Sequence, residues 1–476
     1  MNPFRVVLFL CALAALAAPP EPLRVGTDLQ LFVDDYLIES MNGVTLKLHQ
    51  PAPAGKAIAF DRPWEGNTSA YATVFKDGDK FRMYYRGSSD PAYFRPAALR
   101  PGETVVPTHR EVACYAESAD GIIWKKPALG LYEFQGSKNN NIVWMGDGAH
   151  NFAPFLDTNP AAASAERYKA VASIKGGLAA FRSSDGIRWE KLREEPIITD
   201  GAFDSLNVAF WDVRRQLYVA VYRDFLQGIR TLKCATSKDF ISWTPGEWAD
   251  YGSAPAEQLY TNATTPYFRA SQIYVAFPKR FVPWRKPFDD VPTAGVSEAV
   301  FMSSRDGVRW DRRFLEAFVR PGRDRRDWVH RNRMVAAGVV PTAPDEISIY
   351  VSRHYNFPSA HLERMTLRTD GFVSVHADHR GGDFVTKPLF IEGSNLVLNY
   401  ATSAVGSVRF EVLDLNGNPL AGYGLEETKL LYGDHIEDVI PLQDPKRRPG
   451  RGLEARPVRL RFLLKDADLY SLRIRD

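Results

Sequence analysis

Short apolar runs recur along the chain, each of strand length and each broken by Gly, Pro, Asn or Asp, the pattern of an all-β protein. One turn repeats among them. Ser118-Ala119-Asp120-Gly121-Ile122-Ile123-Trp124 returns as Ser183-Ser184-Asp185-Gly186-Ile187-Arg188-Trp189, as Ser237-Lys238-Asp239-Phe240-Ile241-Ser242-Trp243 and as Ser304-Arg305-Asp306-Gly307-Val308-Arg309-Trp310. A degenerate fifth copy runs Arg368-Thr369-Asp370-Gly371-Phe372-Val373-Ser374, and the Asp-to-Asp spacings are 65, 54, 67 and 64. Asp followed by Gly gives a tight turn with φ > 0 at the glycine, and the Trp can cover the edge of a neighbouring sheet.

Each copy follows a strand-like run, such as 112–117, and two more runs lie upstream, such as 72–76 and 80–85 around Asp77-Gly78-Asp79. This gives four strands per unit, A to D from the inside out. The A strands are expected to start near Tyr71, Phe152, Asn207, Asn262 and Asn332, and the C strands near Glu111, Leu178, Ile229, Val296 and His361. Four-stranded units at this period predict a five-bladed β-propeller over 60–380. The alternative is a β-sandwich with accidental Asp-Gly turns. Residues 19–59 are expected to add N-terminal strands to the propeller, and 381–476, where the repeat stops, to form a C-terminal β-sandwich.

Arg5, the apolar run 6–18 and Pro19-Pro20 read as a signal peptide over 1–18, which predicts a secreted or periplasmic protein with no membrane insertion after cleavage. Lys plus Arg number 60 and Asp plus Glu 57, a net charge of +3 that is too balanced for a sequence-wide nucleic-acid footprint. Cys114 and Cys234 lie in apolar runs and are expected as buried free thiols; two cysteines build neither a disulfide framework nor a zinc site. No metal or cofactor motif is visible, and the basic run Lys446, Arg447, Arg448 and Arg451 is expected as a solvated turn.

Trp64-Glu65 followed by Ala72-Thr73-Val74-Phe75-Lys76-Asp77-Gly78-Asp79-Lys80-Phe81-Arg82-Met83-Tyr84-Tyr85-Arg86-Gly87 resembles the first blade of five-bladed propeller glycoside hydrolases, among them glycosyl hydrolase families 32, 43 and 130. The Ser-x-Asp-Gly-x-x-Trp turns are common in that group, and a C-terminal β-sandwich is similar to family 32. The resemblance implies a propeller fold and an oligo- or polysaccharide partner. It supplies no catalytic residues: the Asn-Asp-Pro, Arg-Asp-Pro and Glu-Cys motifs of family 32 are absent, and the slot of the family 43 catalytic Asp holds Tyr71 or its neighbours. Arg223-Asp224-Phe225 is similar to Arg-Asp-Pro but ends a B strand.

In a propeller the Asp-Gly turns lie at one end and the A-strand starts at the other, where ligands usually sit. Reading off that end gives the substrate-binding candidates Tyr71, His150, Asn151, Asn207, Arg223, Tyr260, Asn262, His330, Arg331 and Asn332. The competing reading is that the asparagines cap strand entries. Two long B-to-C loops carry aromatic and basic residues: 87–110 with Tyr93, Phe94 and Arg95, and 278–297 with Phe281, Trp284, Arg285 and Phe288. Each ends at a carboxylate, Glu111 or Glu298. Glycosidases usually pair a carboxylic acid with a second carboxylate. Glu111 and Glu298 are the general-acid candidates, Asp204 is the second carboxylate, and Glu257 lies on the same side. Asp35 is in reserve, because 31–38 reads as a strand apolar on both faces that could bury it. Three functions stay open: a secreted glycoside hydrolase; a non-catalytic propeller binding glycan or protein; and a phosphorylase, transglycosylase or lyase. The sequence sets no oligomeric state.

Overall fold

The computed structural model describes residues 21–93, 102, 104–286, 288–289, 293–442, 453 and 456–476. The expected signal peptide, Phe94 and Arg95, and the basic run from Lys446 to Arg451 lie outside the described residues.

The protein is all-β. Among the described residues, five four-stranded antiparallel sheets follow one another. The first is Ala70–Asp77, Lys80–Gly87, Val112–Ser118 and Ile142–Met145; the second Ala153–Leu156, Tyr168–Ile174, Gly177–Ser183 and Glu190–Lys191. The third is Val208–Asp212, Leu217–Leu226, Ile229–Ser237 and Glu247–Trp248; the fourth Thr265–Tyr267, Ala270–Ala276, Met302–Ser304 and Trp310–Asp311. The fifth takes Val340–Ala343, Glu346–Arg353 and His361–Arg368 from its own unit and its outer strand, Ala52–Ala59, from near the N-terminus. The first strands of the first four sheets are neighbours in turn, that of the fifth lies beside that of the first, and the first and fifth units are joined by Val74 N–H to Ala337 O at 2.8 Å and Ala337 N–H to Ala72 O at 2.9 Å. A small ladder of Lys279–Val282 with Gln258–Leu259 and Val296–Ala299 extends the fourth unit.

The repeated turns explain how sheet packs on sheet. In the first four copies the Asp Oδ1 accepts two backbone N–H groups, as Asp120 does from Ile122 and Ile123 at 2.8 and 2.9 Å, and the Ser hydroxyl accepts the N–H of the Gly position. A tyrosine from the preceding sheet then bonds the turn: Tyr84 of the first sheet donates to Gly186 O of the second at 2.8 Å, and Tyr350 of the fifth donates to Gly121 O of the first. Cys234 of the third sheet lies under Gly307 of the fourth, where a Cβ would come within 2.8 Å of its sulfur. Both described cysteines are buried free thiols in third strands, and burial pushes Cys234 up to about 12.

The fifth copy is different. Its positive φ, 63°, falls on Asp370, whose carboxylate is fully buried and accepts from Tyr267, Arg269, Asn399 and Ser471. Asn399 and Ser471 belong to a further, eight-stranded sheet dominated by Asn395–Leu413 and Arg459–Arg475. The N-terminal strands divide between the two assemblies. Ala52–Ala59 completes the fifth sheet, whereas Gln30–Leu31, Ile38–Asn42 and Val44–Leu48 pair within the eight-stranded sheet, as does Val373–Ala377. That sheet has its own apolar core around Phe32, Phe384, Phe410 and Phe462.

Candidate active site

Strand register sets which side chains share an end of the molecule. In the first sheet Ala70 faces Arg86 and Gly87 faces Val112, while Asp77, Lys80 and the Ser118 turn lie at the opposite end. Tyr71, Arg86 and Glu111 are thereby gathered away from the Asp-Gly turns. His150 reaches the same place from the short 3-10 turn Ala149–Asn151, and Asp204 from the approach to the third sheet.

His150 is the hub. Its Nδ1 lies 2.8 Å from Glu111 Oε2 and its Nε2 3.1 Å from Asp204 Oδ1. Burial alone would lower the His150 pKa, but its two carboxylate partners raise it above the ordinary value. Burial alone would raise Glu111 and Asp204. The His150 hydrogen bond outweighs it at both, helped by Arg86 at Glu111 and by Arg223 and Arg331 at Asp204, and pulls each down to about 2. The site is a histidine clamped between two carboxylates, an arrangement that favours the charged form of all three. Glu111 is therefore not in the protonated form that the expected general-acid role requires.

Aromatic and basic groups ring this trio. Tyr71 packs on His150 at 5.5 Å and beneath the Arg86 guanidinium at 4.6 Å. Arg86, buried, donates to Thr68 O at 2.7 Å and to Tyr355 OH at 3.3 Å, and lies 3.4 Å from Glu111. Arg331 donates to the same Tyr355 hydroxyl at 3.2 Å. Tyr260 OH donates to Asp204 Oδ2 at 3.3 Å. Tyr71, Ala263, Arg331 and Arg333 have φ of 53°, 46°, 65° and 56°, a strained left-handed backbone concentrated at this end. A cleft of about 550 Å³ opens beside the trio, lined in part by His150, Ser173, Gly177, Phe203 and Asp204.

Of the sequence-derived candidates, Glu111, Asp204, Tyr71, His150, Arg223, Tyr260 and Arg331 meet here. The four asparagines hold backbone instead. Asn151 donates to Phe203 O and Ser205 O, Asn207 to the same two carbonyls, Asn262 to Val221 O and Asn332 to Arg326 O, all buried. Their oxygens accept from Ser173, Arg223, Thr264 and Tyr355 N–H, so strand capping accounts for each. His330 shares a 2.7 Å hydrogen bond with Thr293, and burial, then Arg331 and Lys279, pull its pKa down to about 3.

Glu298 is not brought to the trio. The neighbouring Ser297 accepts the Arg331 N–H, so strand alternation turns Glu298 the other way, into an ion pair with Arg280. Glu257 joins that pair and also binds Arg312, in a separate hollow of about 470 Å³ bordered by Phe281, Trp284 and Trp328. Asp35 lies with the opposite end: it pairs with Arg313 at 3.2 Å, while Asp34 binds Arg305 of an Asp-Gly turn. Residues 32–37 form bends rather than the expected strand, and the Asp35 side chain is 66% exposed.

Sequence reasoning missed Arg86, Tyr355, Arg230 and Lys279. A signal for two of them was present. A basic residue stands at or near the end of every unit's second apolar run, namely Arg86, Lys175, Arg223, Lys279 and Arg353, and three of the five reach this site.

No family model matches the chain, and no curated protein sequence does. Among solved structures it is similar to the catalytic domain of a GH62 α-L-arabinofuranosidase from Coprinopsis cinerea, at 10% identity and TM-score 0.43 over 68% of this chain and 98% of that one. It is similar at 15% identity and TM-score 0.39, over 70% and 95% of the two chains, to a structure described in the context of the GH130 mannoside phosphorylases and glycoside hydrolases. A family 43 arabinoxylan arabinofuranohydrolase from Bacillus subtilis is matched at 11% identity and TM-score 0.39, over 89% and 99% of the two chains. The resemblance to propeller glycoside hydrolases drawn from residues 64–87 meets glycoside hydrolases again in these likenesses.

Proposed function

We propose that the chain is an exported glycoside hydrolase whose five four-stranded sheets are the blades of a propeller, with the C-terminal strands forming a sandwich against it. The observation that carries this reading is the Glu111–His150–Asp204 trio. Side chains from three successive units converge there, and Asp204 is 66% exposed. For the two groups to flank a sugar, the exposed Asp204 must leave its 3.1 Å contact with His150. Asp204, ionised, accepts a proton from water as the water oxygen attacks the anomeric carbon. His150 gives its proton to the departing glycosidic oxygen as the carbon–oxygen bond breaks, and solvent exchange restores both groups. Glu111 is a positioning residue: it orients the imidazole and keeps it charged. Tyr71, Tyr260 and Tyr355 are buried and support the site from behind: Tyr71 beneath Arg86, Tyr355 between Arg86 and Arg331, and Tyr260 on Asp204.

General acid–base assistance is worth about 10²–10⁴-fold. Asp204→Asn and His150→Gln are expected to lower turnover of a natural glycan by that order, His150→Gln much less on an aryl glycoside that leaves without a proton. Glu111→Gln is expected to move the alkaline limb of the pH–rate profile to lower pH, because His150 loses a partner that raises its pKa. Near-wild-type turnover in all three variants would overturn the assignment. A glycan that binds at this end and is never cleaved would favour a non-catalytic binding protein.

A further inference from the structure

Next to Asp204 three basic side chains crowd together with no carboxylate of their own to pair with besides Asp204. Three basic side chains surround the single ring of Tyr260: Lys279 Nζ at 3.9 Å from its centroid, the Arg223 guanidinium at 4.8 Å and that of Arg230 at 5.4 Å. Lys279 is 1% exposed and has neither an ion pair nor a side-chain hydrogen bond among the described residues. Arg223 donates to the neutral Ala202 O, and Arg230 to the neutral Gln258 side chain. Arg230 Nε and the hydroxyl of Thr261, next to Tyr260, are buried without a partner among the described residues. The carboxylate bonded to this group through the Tyr260 hydroxyl is Asp204, and it is already engaged by His150. Buried like charges this close are costly unless an opposite charge joins them.

Resting on the hydrolase reading of the same site, we infer that the Lys279–Arg223–Arg230 cradle receives an oxyanion carried by the sugar itself, a uronate carboxylate or a sulfate ester, so that the substrate is an acidic glycan. Burial, with Arg331, Arg230 and Arg223, holds Lys279 well below its ordinary pKa, and an anion beside it shifts it back up. The anion belongs to the substrate rather than to an attacking phosphate for a physical reason. A phosphate nucleophile would stand against two carboxylates held ionised at the reaction centre, whereas a substituent lying over Tyr260 is one residue removed from them.

Isothermal titration of the full chain with matched pairs tests this: oligogalacturonate against its carboxyl-reduced form, and a sulfated galactan fragment against its desulfated form. The acidic member of at least one pair is expected to bind about 10–100-fold more tightly, the worth of one charge-assisted hydrogen bond. Lys279→Met is expected to cut that ratio about tenfold, and Arg230→Gln, at a half-buried site, serves if the first variant does not fold. Equal binding of both members, no binding of any acidic member, or an unchanged ratio in the folded variants overturns the inference. So does inorganic phosphate binding more tightly than every acidic glycan and depending on Lys279, which would assign the cradle to a co-substrate. An acidic glycan that binds through Lys279 but is not cleaved leaves the cradle standing and removes the hydrolase reading. Cleavage of neutral glycans alone, lost in Asp204→Asn, does the reverse.

Discussion

Replacing Asp370 by alanine should destabilise the protein by about 3–4 kcal/mol, which follows from the partners it would abandon. The carboxylate is 0% exposed and accepts from Tyr267 OH at 2.8 Å, Arg269 Nε at 3.0 Å, Ser471 Oγ at 3.0 Å and Asn399 Nδ2 at 3.3 Å. Breaking a buried ion pair from one side costs about 3–5 kcal/mol. Arg269 is 23% exposed and keeps Glu437 at 2.7 Å, which argues for the lower end. Tyr267, Asn399 and Ser471 also lose an acceptor, and a buried unsatisfied donor costs about 1–3 kcal/mol unless water reaches it. The backbone adds to this: φ is 63° at Asp370, which Asn tolerates and Ala does not. Asp370→Asn should therefore cost about half as much, since it keeps the shape, one acceptor and the backbone preference. Urea unfolding followed by tryptophan fluorescence reads the midpoint shift at constant slope. The double variant with Arg269→Ala should show coupling above ~1 kcal/mol. A cost below ~1 kcal/mol for Asp370→Ala, or strict additivity with Arg269→Ala, refutes the view that this carboxylate pins the eight-stranded sheet to the repeated ones.

Two further expectations follow from the same charges and burials. Glu111 and Asp204 have folded pKa values of about 2, below their ordinary 4.5 and 3.8, so their stabilisation is present above those ordinary values and is lost as pH falls towards 2. His150, raised above 6.5, contributes below that value and loses its contribution as pH rises through the folded pKa; at these exposures the trio is worth only about 1 kcal/mol, and an acid and alkaline melting profile unchanged by His150→Gln would contradict it. Cys114 and Cys234 should resist a thiol reagent in the native state and give two thiols per chain when protein from the host is denatured without reductant. A third thiol would mean that the segment holding Cys11 is retained, and none would mean that the two are bridged.

Much of the scaffold was legible because its rules are local. A Ser, an Asp and a Trp at fixed offsets define a turn in four of the units, and a turn that recurs places its strands. The end of the molecule bearing Glu111, His150 and Asp204 follows from strand direction alone. What escaped depended on parity or on distance. Glu298 and Ser297 differ by one residue, and the sequence carried no sign of which faced inward. The entrance asparagines look like sugar ligands by composition, yet each lies where backbone groups lack strand partners, and their amides are drawn there first. Arg86 and Lys279 were hidden by their own strands, since a charge closing an apolar run reads as an exposed end. Nothing near residue 50 announces a partner at residue 361.

That last pairing has a consequence for how the protein is made. Ala52–Ala59 emerges early from the ribosome, but its partner His361–Arg368 is some 300 residues behind it in the register. At ~5–20 residues per second the early strand waits about 15–60 seconds with its hydrogen-bonding edge unmatched. Such an edge invites pairing with another nascent chain. The segment Ala52-Pro53-Ala54-Gly55-Lys56 is poorly suited to that error: proline lacks a donor, glycine favours no strand, and lysine repels its own copy. The residues that make this strand a weak ladder on its own are the ones that keep it available until the fifth sheet exists to receive it.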